Sequence, residues 1–185
     1  MKKRKIFLFP AILLAITFLT SIGFAQTQTN PNAPVITHSF AVEKGYYGII
    51  LKIYLEAEDP DGDMFKIATV VDQTGYGRYP TDWIIIKPQF KKGFKGYIQW
   101  NTFSPNTSYL KEWNNITIRV SIFDKAGNES NEAVLPFTFE TGIKNPYSYQ
   151  LPAPFDQGDL PRLGYVHINL YEPTLMGNGN GRRDD

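Results

Sequence analysis

Aspartates crowd the stretch "AEDPDGD" at residues 57–63, where Asp59, Asp61 and Asp63 alternate with a proline and a glycine. Proline fixes the backbone angle φ and glycine permits a positive one, so the pair is typical of a tight turn. Aspartate side chains in such a turn accept hydrogen bonds from nearby backbone amides. The same oxygens suit calcium, a cation that needs about 6–8 oxygen ligands. We predict a turn, and we name Asp59, Asp61 and Asp63 as the metal ligands should calcium bind there.

The sequence contains few residues that could form a catalytic site. His38 and His167 are its two histidines, and they lie far apart in sequence. The chain holds no cysteine, no "GxSxG" or "HExxH" stretch and no phosphate-binding loop. Glu58 and Asp124 could form the carboxylate pair of a glycoside hydrolase, which needs two acids about 5–10 Å apart. Both lie at predicted strand ends beside turns, where acids ordinarily face water, so we predict that the protein is not an enzyme.

Aromatic residues make up 15% of the sequence, enough to fill a core and still leave rings for binding. Exposed aromatic faces hold sugar rings in many sandwich proteins and also anchor protein partners. Trp113 and Tyr109 lie in polar surroundings, which makes them the candidate ligand-binding residues. Trp83 and Trp100 fall within predicted strands, and we predict that both fill the core because large rings are mostly buried.

The elements that would position these residues are strands, because the dominant hydrophobic period is two. Residues 51–58 and 116–124 alternate apolar and polar side chains, which places one face of each strand in a core and the other in water. Shorter runs bounded by turn residues lie at 35–42, 64–72, 83–87, 96–101 and 133–139. The pattern predicts an all-β fold, a two-sheet antiparallel sandwich with about seven strands, plus an extended C-terminal segment.

The motifs "AEDPDGDMFKI", "YPTDWIII", "GYIQWNTFSP", "ITIRVSIFDKAGNES" and "LPFTF" occur in that order between residues 33 and 140. Together they resemble the cadherin-like, immunoglobulin-like repeats of secreted bacterial proteins, including the type first described in dystroglycan. The resemblance implies an immunoglobulin-like sandwich and a non-enzymatic spacer or binding module, often one of a series. This chain departs from true cadherins in lacking "DxNDN" and "DRE", and its insertion "QTGYGRYPTD" is longer than a tight hairpin requires.

Residues 1–25 have the three parts of a secretory signal peptide: a basic start, an apolar run, and small residues before a cut at Gln26. Cleavage leaves 15 basic and 18 acidic residues, a formal net charge of −3. A mildly acidic chain without a basic cluster offers no binding surface to nucleic acid. We predict an exported protein, periplasmic, cell-surface or extracellular, that contacts a membrane only if the signal segment stays uncleaved. Residues 26–32 are polar and proline-bearing, which predicts a linker.

The last part of the chain, 141–185, is rich in proline and glycine and lacks alternation apart from a strand-like run at 165–173. A lone strand cannot bury its own apolar face, so this run either docks on the sandwich or begins a further, truncated module. We expect residues 33–140 to form a rigid domain, and a chain that ends at Glu140 to keep nearly full stability.

These patterns together predict an exported, non-catalytic module that acts as a spacer, or as a binding or adhesion domain for a protein or glycan partner at the bacterial envelope. The alternatives are a carbohydrate-binding accessory domain of a secreted enzyme, which would use exposed rings, and a calcium-dependent adhesion module, which would use the acidic turn. Calcium is the one cofactor that the sequence suggests.

Overall fold

The computed structural model describes residues 30–107, 114–142 and 149–172, which form two β-sheets packed face to face. The strands in chain order are β1 Val35–Phe40, β2 Lys44–Gly45, β3 Ile50–Glu58, β4 Met64–Gln73, β5 Gly77–Arg78, β6 Asp82–Ile85, β7 Gly93–Asn101, β8 Asn114–Asp124, β9 Ala133–Phe139 and β10 Arg162–Val166. A short 3-10 helix, Pro88–Phe90, links β6 to β7. The predicted all-β, two-sheet sandwich is confirmed, and its seven longer predicted strands match the observed ones to within a few residues.

The two sheets have the strand order of an immunoglobulin-like sandwich. The smaller sheet has the order β1-β3-β7-β10, and the larger has the order β2-β9-β8-β4, with β5 and β6 both paired to the remaining edge of β4. Only β2 with β9 and β10 with β7 pair in parallel. In immunoglobulin domains strands A, B, E and D share one sheet. Here β1, β3 and β7 take the places of A, B and E, and β10 occupies the edge that strand D takes elsewhere.

Alternating side chains on the two inner faces make the core. On β3 the inward residues Leu51, Ile53 and Leu55 are buried, as the period of two predicts. The opposing sheet contributes Ile67 and Val71 from β4, Ile116, Ile118, Val120 and Ile122 from β8, and Phe137 and Phe139 from β9. Trp100 on β7 is fully buried among them, so its predicted core position is confirmed.

After β9 the chain returns to the sandwich. Tyr149 and Phe155 pack on the outer face of the smaller sheet, where they help to bury Tyr54. The chain then enters β10, and four apolar side chains join the core: Leu163, Val166, Ile168 and Leu170. Of the two alternatives for the strand-like C-terminal run, docking on the sandwich is the one observed. The folded unit therefore extends past Glu140, where the sequence placed its boundary.

Side-chain hydrogen bonds hold the residues that follow β10. Nε1 of Trp100 donates to the carbonyl oxygen of Ile168 (2.9 Å), and Oγ of Ser104 donates to that of Leu170 (2.6 Å). All four residues are buried, so each bond satisfies polar groups that would be costly to leave unpaired. Residues 167–170 thus keep the alternating burial of a strand, and side chains rather than a neighbouring strand bind the carbonyl groups of Ile168 and Leu170.

Two glycines make room for this C-terminal segment. A Cβ atom on Gly96 would lie 2.5 Å from the backbone oxygen of Pro161, and one on Gly164 would overlap Cγ2 of Ile84. Packed interiors have no space to absorb such an overlap. The close approach of the segment to both sheets therefore requires glycine at these two positions.

Trp83 lies on the outer face of the larger sheet, so its predicted core position is wrong. Side chains alternate along β6, and Ile84 is the residue that points inward. Trp83 is 44% exposed and contacts Phe123 edge-on, with Nζ of Lys66 3.8 Å from its ring centroid. Neighbouring residues on a strand face opposite ways, so burying Ile84 places Trp83 outside.

We expect a chain that ends at Gly142 to lose cooperative folding, contrary to the expectation from sequence. Truncation removes five buried apolar side chains, Phe155, Leu163, Val166, Ile168 and Leu170. Each contributes about 1.5–3 kcal/mol, against a total of about 5–15 kcal/mol for a typical domain. Thermal melts followed by circular dichroism would compare residues 26–142 with residues 26–172 and 26–185. Equal melting temperatures and equal cooperativity in all three would contradict the structural role of the segment.

Candidate binding cleft

A cleft of about 480 Å³ opens where the turn between β4 and β5 faces the residues that follow β10. Its size falls within the range of small-molecule sites, about 300–1,000 Å³. Its wall is aromatic and its rim is polar. Tyr76, Tyr79 and Tyr171 form the wall, and Asp82, Asn106, His167 and Asn169 lie on the rim. We call this site the tyrosine cleft.

The wall begins at a tight hairpin between β4 and β5. Gly75 (φ +80°) and Gly77 (φ +120°) flank Tyr76, and both angles lie in the backbone region that favours glycine. β5 then pairs back on the end of β4, where Asp72 lies opposite Arg78. The turn holds Tyr76 away from the sheet, which leaves its side chain 44% exposed.

Ion pairs brace the outer side of this hairpin. Nε of Arg78 donates to Oδ1 of Asp72 (2.8 Å), and Nε of Arg119 donates to Oδ2 (3.0 Å). The hydrogen bond from Arg78, supported by Arg119, lowers the pKa of the Asp72 carboxyl, so this group stays charged at neutral pH. These pairs are largely exposed and add little stability, and they join Arg78 of β5 and Arg119 of β8 to Asp72 on β4.

The three tyrosines form a stacked cluster with nearly parallel rings. The ring centroid of Tyr76 lies 4.6 Å from that of Tyr79 and 5.2 Å from that of Tyr171, with interplanar angles of 16° and 3°. The centroids of Tyr79 and Tyr171 are only 6.3 Å apart, too close for the two ends of a three-ring column. They therefore lie side by side against Tyr76, whose side chain is 44% exposed.

A closed set of three hydrogen bonds locks this cluster. The hydroxyl of Tyr79 donates to Oε1 of Gln73, and Nε2 of Gln73 donates to the carbonyl oxygen of Tyr171 (2.8 Å). The backbone N–H of Tyr171 donates in turn to the Tyr79 hydroxyl (2.8 Å). Gln73 and Tyr79 are buried, and the bonds offset the cost of removing these polar groups from water. Burial also raises the pKa of Tyr79 to about 12.

The rim carries polar groups from three separate parts of the chain. Oδ2 of Asp82 accepts the backbone N–H of His167 (2.9 Å), and Nδ1 of the imidazole lies 3.7 Å from the same oxygen. The side-chain amides of Asn106 and Asn169 are exposed nearby, and each offers both donors and an acceptor. No lysine or arginine is among the residues that line the cleft in the described part of the chain.

A second aromatic groove, of about 570 Å³, lies on the outer face of the smaller sheet. Tyr54, Tyr97 and Tyr149 line it, with Nζ of Lys52 4.8 Å from the ring centroid of Tyr97. Burial and the neighbouring Tyr149 hydroxyl raise the pKa of Tyr54. These rings are mostly buried against one another and against the returning segment. The tyrosine cleft is the better binding candidate, because two of its rings, Tyr76 and Tyr171, are 44% and 43% exposed.

The acidic turn at residues 57–63 has the hydrogen bonds that the turn hypothesis predicts. Asp59 is 2% exposed, and its two carboxylate oxygens accept the backbone N–H groups of Asp61 (3.1 Å) and Asp63 (3.3 Å). Gly62 has a φ of +73° at the turn. Within residues 30–107, 114–142 and 149–172, no three histidine or acidic side chains are grouped as a metal site would require. Calcium binding by Asp59, Asp61 and Asp63 stays a prediction.

Asp124 is buried, although its place at a strand end predicted that it would face water. Its carboxylate accepts both the backbone N–H (2.8 Å) and the side-chain amide (2.6 Å) of Asn128, which closes the turn between β8 and β9. Glu58 is exposed at the end of β3. Asp124 thus has a structural role that accounts for its position.

Trp113 and Tyr109 lie outside the described residues, so their predicted role in ligand binding stays a prediction. The tyrosines of the cleft were not singled out from the sequence. One signal pointed towards them, the insertion "QTGYGRYPTD", which is longer than a hairpin needs and which contains Tyr76 and Tyr79. Nothing in the sequence indicated that Tyr171 lies against this insertion.

Comparisons with known proteins leave the family of this chain open. No family model matches it, and no curated protein matches it. Among solved structures, one match is the PKD domain of an M14-like peptidase from Thermoplasmatales archaeon SCGC AB-540-F20. That match has 17% sequence identity and a TM-score of 0.38, and it covers 59% of this chain and 94% of the other. The cadherin-like type suggested by the motifs remains a prediction, and the immunoglobulin-like assignment follows from the strand order.

Replacing Asp59 by alanine should destabilise the protein by about 1–3 kcal/mol, because two backbone N–H groups lose their acceptor. Asp61→Ala is the matched control, since Asp61 is exposed and should cost little. Urea unfolding with and without millimolar calcium measures both effects. If the turn is a calcium site instead, calcium will raise the stability of the unmodified protein, and Asp61→Ala will abolish that rise.

Stability should fall as pH rises from 10 to 12, through ionisation of Tyr79. Its pKa is about 10 in an unfolded chain and about 12 in the fold, so its contribution is complete below pH 10 and is lost as pH rises through 12. The loss attributable to this group is about 2–3 kcal/mol. Tyr79→Phe should be less stable at pH 7 but show a shallower fall above pH 10 in urea titrations. An unchanged slope in Tyr79→Phe would refute the assignment.

Proposed function

We propose that this protein is an exported, non-catalytic β-sandwich module that acts as a spacer and presents a binding surface at the bacterial envelope. The observation that carries this proposal is where the first and last described residues lie. The first described residues lie at one end of the sandwich, and the last lie at the other.

Strand pairing fixes these positions. β1 begins opposite Glu58, at the end of the sandwich where β3 finishes and β7 begins. β10 runs parallel to β7 and so finishes at the far end, where Gln73 binds Tyr171. β8 extends for 11 residues between the same two ends, which corresponds to about 35 Å. A module with this geometry adds nearly its whole length to a chain of modules.

Export is supported by the N-terminal sequence, whose basic start, apolar run and small residues before Gln26 match a secretory signal. Exported domains are often stabilised by disulfide bonds. This chain has no cysteine, so its core forms without them. Among the described residues, no helix is both long enough and apolar enough to cross a membrane.

A non-catalytic role is supported by what the buried acids do. Asp59 and Asp124 each accept two hydrogen bonds within their own turns, which occupies the oxygens that catalysis would need. His38 pairs with Glu56 on the surface (2.8 Å), away from the tyrosine cleft.

Calcium-dependent adhesion is a second proposal, favoured by one observation. Oδ1 of Asp63 is buried and accepts no hydrogen bond from the residues that the structure describes. A buried unpaired carboxylate oxygen is costly, and a cation beside it would remove the cost. The calcium titration of Asp61→Ala separates this proposal from a purely structural turn.

Distance measurements test the spacer proposal directly. Because the chain has no cysteine, Asn32→Cys with Glu172→Cys gives a clean pair of exposed labelling sites at opposite ends. Energy transfer should report a separation of at least roughly 35 Å, the length of one long strand. Asn32→Cys with Lys125→Cys is the control pair, expected to be much closer because Asn30 bonds Asn128 in the same turn region.

Equal transfer efficiencies in the two pairs would rule out the spacer geometry. Export is tested on the same protein by N-terminal sequencing of material recovered outside the cytoplasm of a bacterial host. The mature chain should begin at Gln26, and a protein that keeps Met1 and stays in the cytoplasm would refute export.

A further inference from the structure

We propose that the tyrosine cleft binds a neutral pyranose sugar, a unit of a glycan, with the exposed ring of Tyr76 as the stacking platform. This inference is independent of the spacer role, and it assigns sugar binding to residues other than Trp113 and Tyr109. It draws on the geometry of the wall, the chemistry of the rim and the charge of the lining.

The wall offers a flat apolar surface that is already organised. Tyr76 is supported from below by Tyr79 and Tyr171, which the hydrogen bonds through Gln73 hold in place. A pyranose presents one face of C–H groups that can lie flat on such a ring, and the aromatic face attracts them. Because the platform is held before the ligand arrives, little conformational entropy is lost on binding.

The rim supplies groups that suit hydroxyls. Sugar hydroxyls both donate and accept hydrogen bonds, and the amides of Asn106 and Asn169 do the same. Asp82 has one carboxylate oxygen bound to the N–H of His167, and its other oxygen is available to accept a hydroxyl. Polar groups therefore come from three separate segments of the chain, which would fix the orientation of a bound ring.

The charge of the cleft argues for a neutral ligand. Asp82 is the acidic residue among its described lining residues, which include no lysine and no arginine. An anionic sugar or a phosphate would meet this carboxylate without a lysine or arginine to compensate its charge. An extended peptide is also disfavoured, because peptides commonly add to a strand edge, whereas this cleft is built from a turn and the residues after a strand.

Calorimetric titration of the mature chain with cellohexaose, chitohexaose, xylohexaose and mannohexaose tests the proposal, with oligogalacturonate as the acidic probe. We expect at least one neutral oligosaccharide to bind at micromolar to millimolar concentration, and the acidic one not to bind. Tyr76→Ala should weaken binding about tenfold, since it removes the platform. Tyr76→Phe keeps the ring and should keep the affinity.

Tyr165→Ala is the matched control, because Tyr165 and Tyr76 are both 44% exposed and Tyr165 does not line the cleft. Thermal melts of each variant confirm that it is folded, and Tyr76→Phe provides the comparison if Tyr76→Ala is unstable. The proposal is overturned by flat titrations with every neutral oligosaccharide, by binding of the acidic one alone, or by equal weakening in Tyr76→Ala and Tyr165→Ala. None of these outcomes alters the energy-transfer distances that test the spacer role.

Discussion

β10 lies beside β7 and runs parallel to it, and Trp100, the largest side chain of the core, is covered because that pairing holds. In immunoglobulin domains strand D takes this edge, from the middle of the chain. Here a short 3-10 helix carries the chain from β6 straight to β7, so the edge is left for the C-terminal segment. Residues remote in sequence complete the sheet. Their docking closes a long loop, and the burial of their apolar side chains must offset the conformational entropy lost in closing it. Gly96 and Gly164 make this approach possible, since neither leaves room for a side chain.

The same docking creates the tyrosine cleft. Tyr171 and the rim residue Asn169 reach the hairpin of β4 and β5 only because the segment after β10 is held against the core by Trp100 and Ser104. The hydrogen bonds of Gln73 then join the end of β4 to this segment. Fold and cleft are therefore coupled energetically. A ligand that binds only the assembled cleft would stabilise the docked segment by mass action.

Buried carboxylates in this sandwich are best understood as parts of turns. Asp59 and Asp124 lie at the same end of the molecule, and both are almost fully buried. A buried acid is tolerated when several donors satisfy it, and each of these accepts two hydrogen bonds from its own turn. An acidic motif that resembles a catalytic or metal-binding cluster in the sequence can therefore be explained by the hydrogen bonds of a turn. Asp63 has one oxygen without a hydrogen-bond partner among the described residues, and the turn alone gives that oxygen no role.

The strands could be predicted from the sequence alone, because the period of two is a local property of the backbone that β3 and β8 show clearly. The sequence also determined the turn at Asp59, where proline, glycine and aspartate act through neighbouring residues. It could not decide which of two adjacent apolar residues on β6 would face inward, and Ile84 rather than Trp83 did so. Nor could it place Tyr171 against Tyr76 and Tyr79, since strand partners are chosen by packing between distant segments. Both the inward-facing residue of β6 and the position of Tyr171 depend on the tertiary structure, because packing across the whole core determines which side chains are buried.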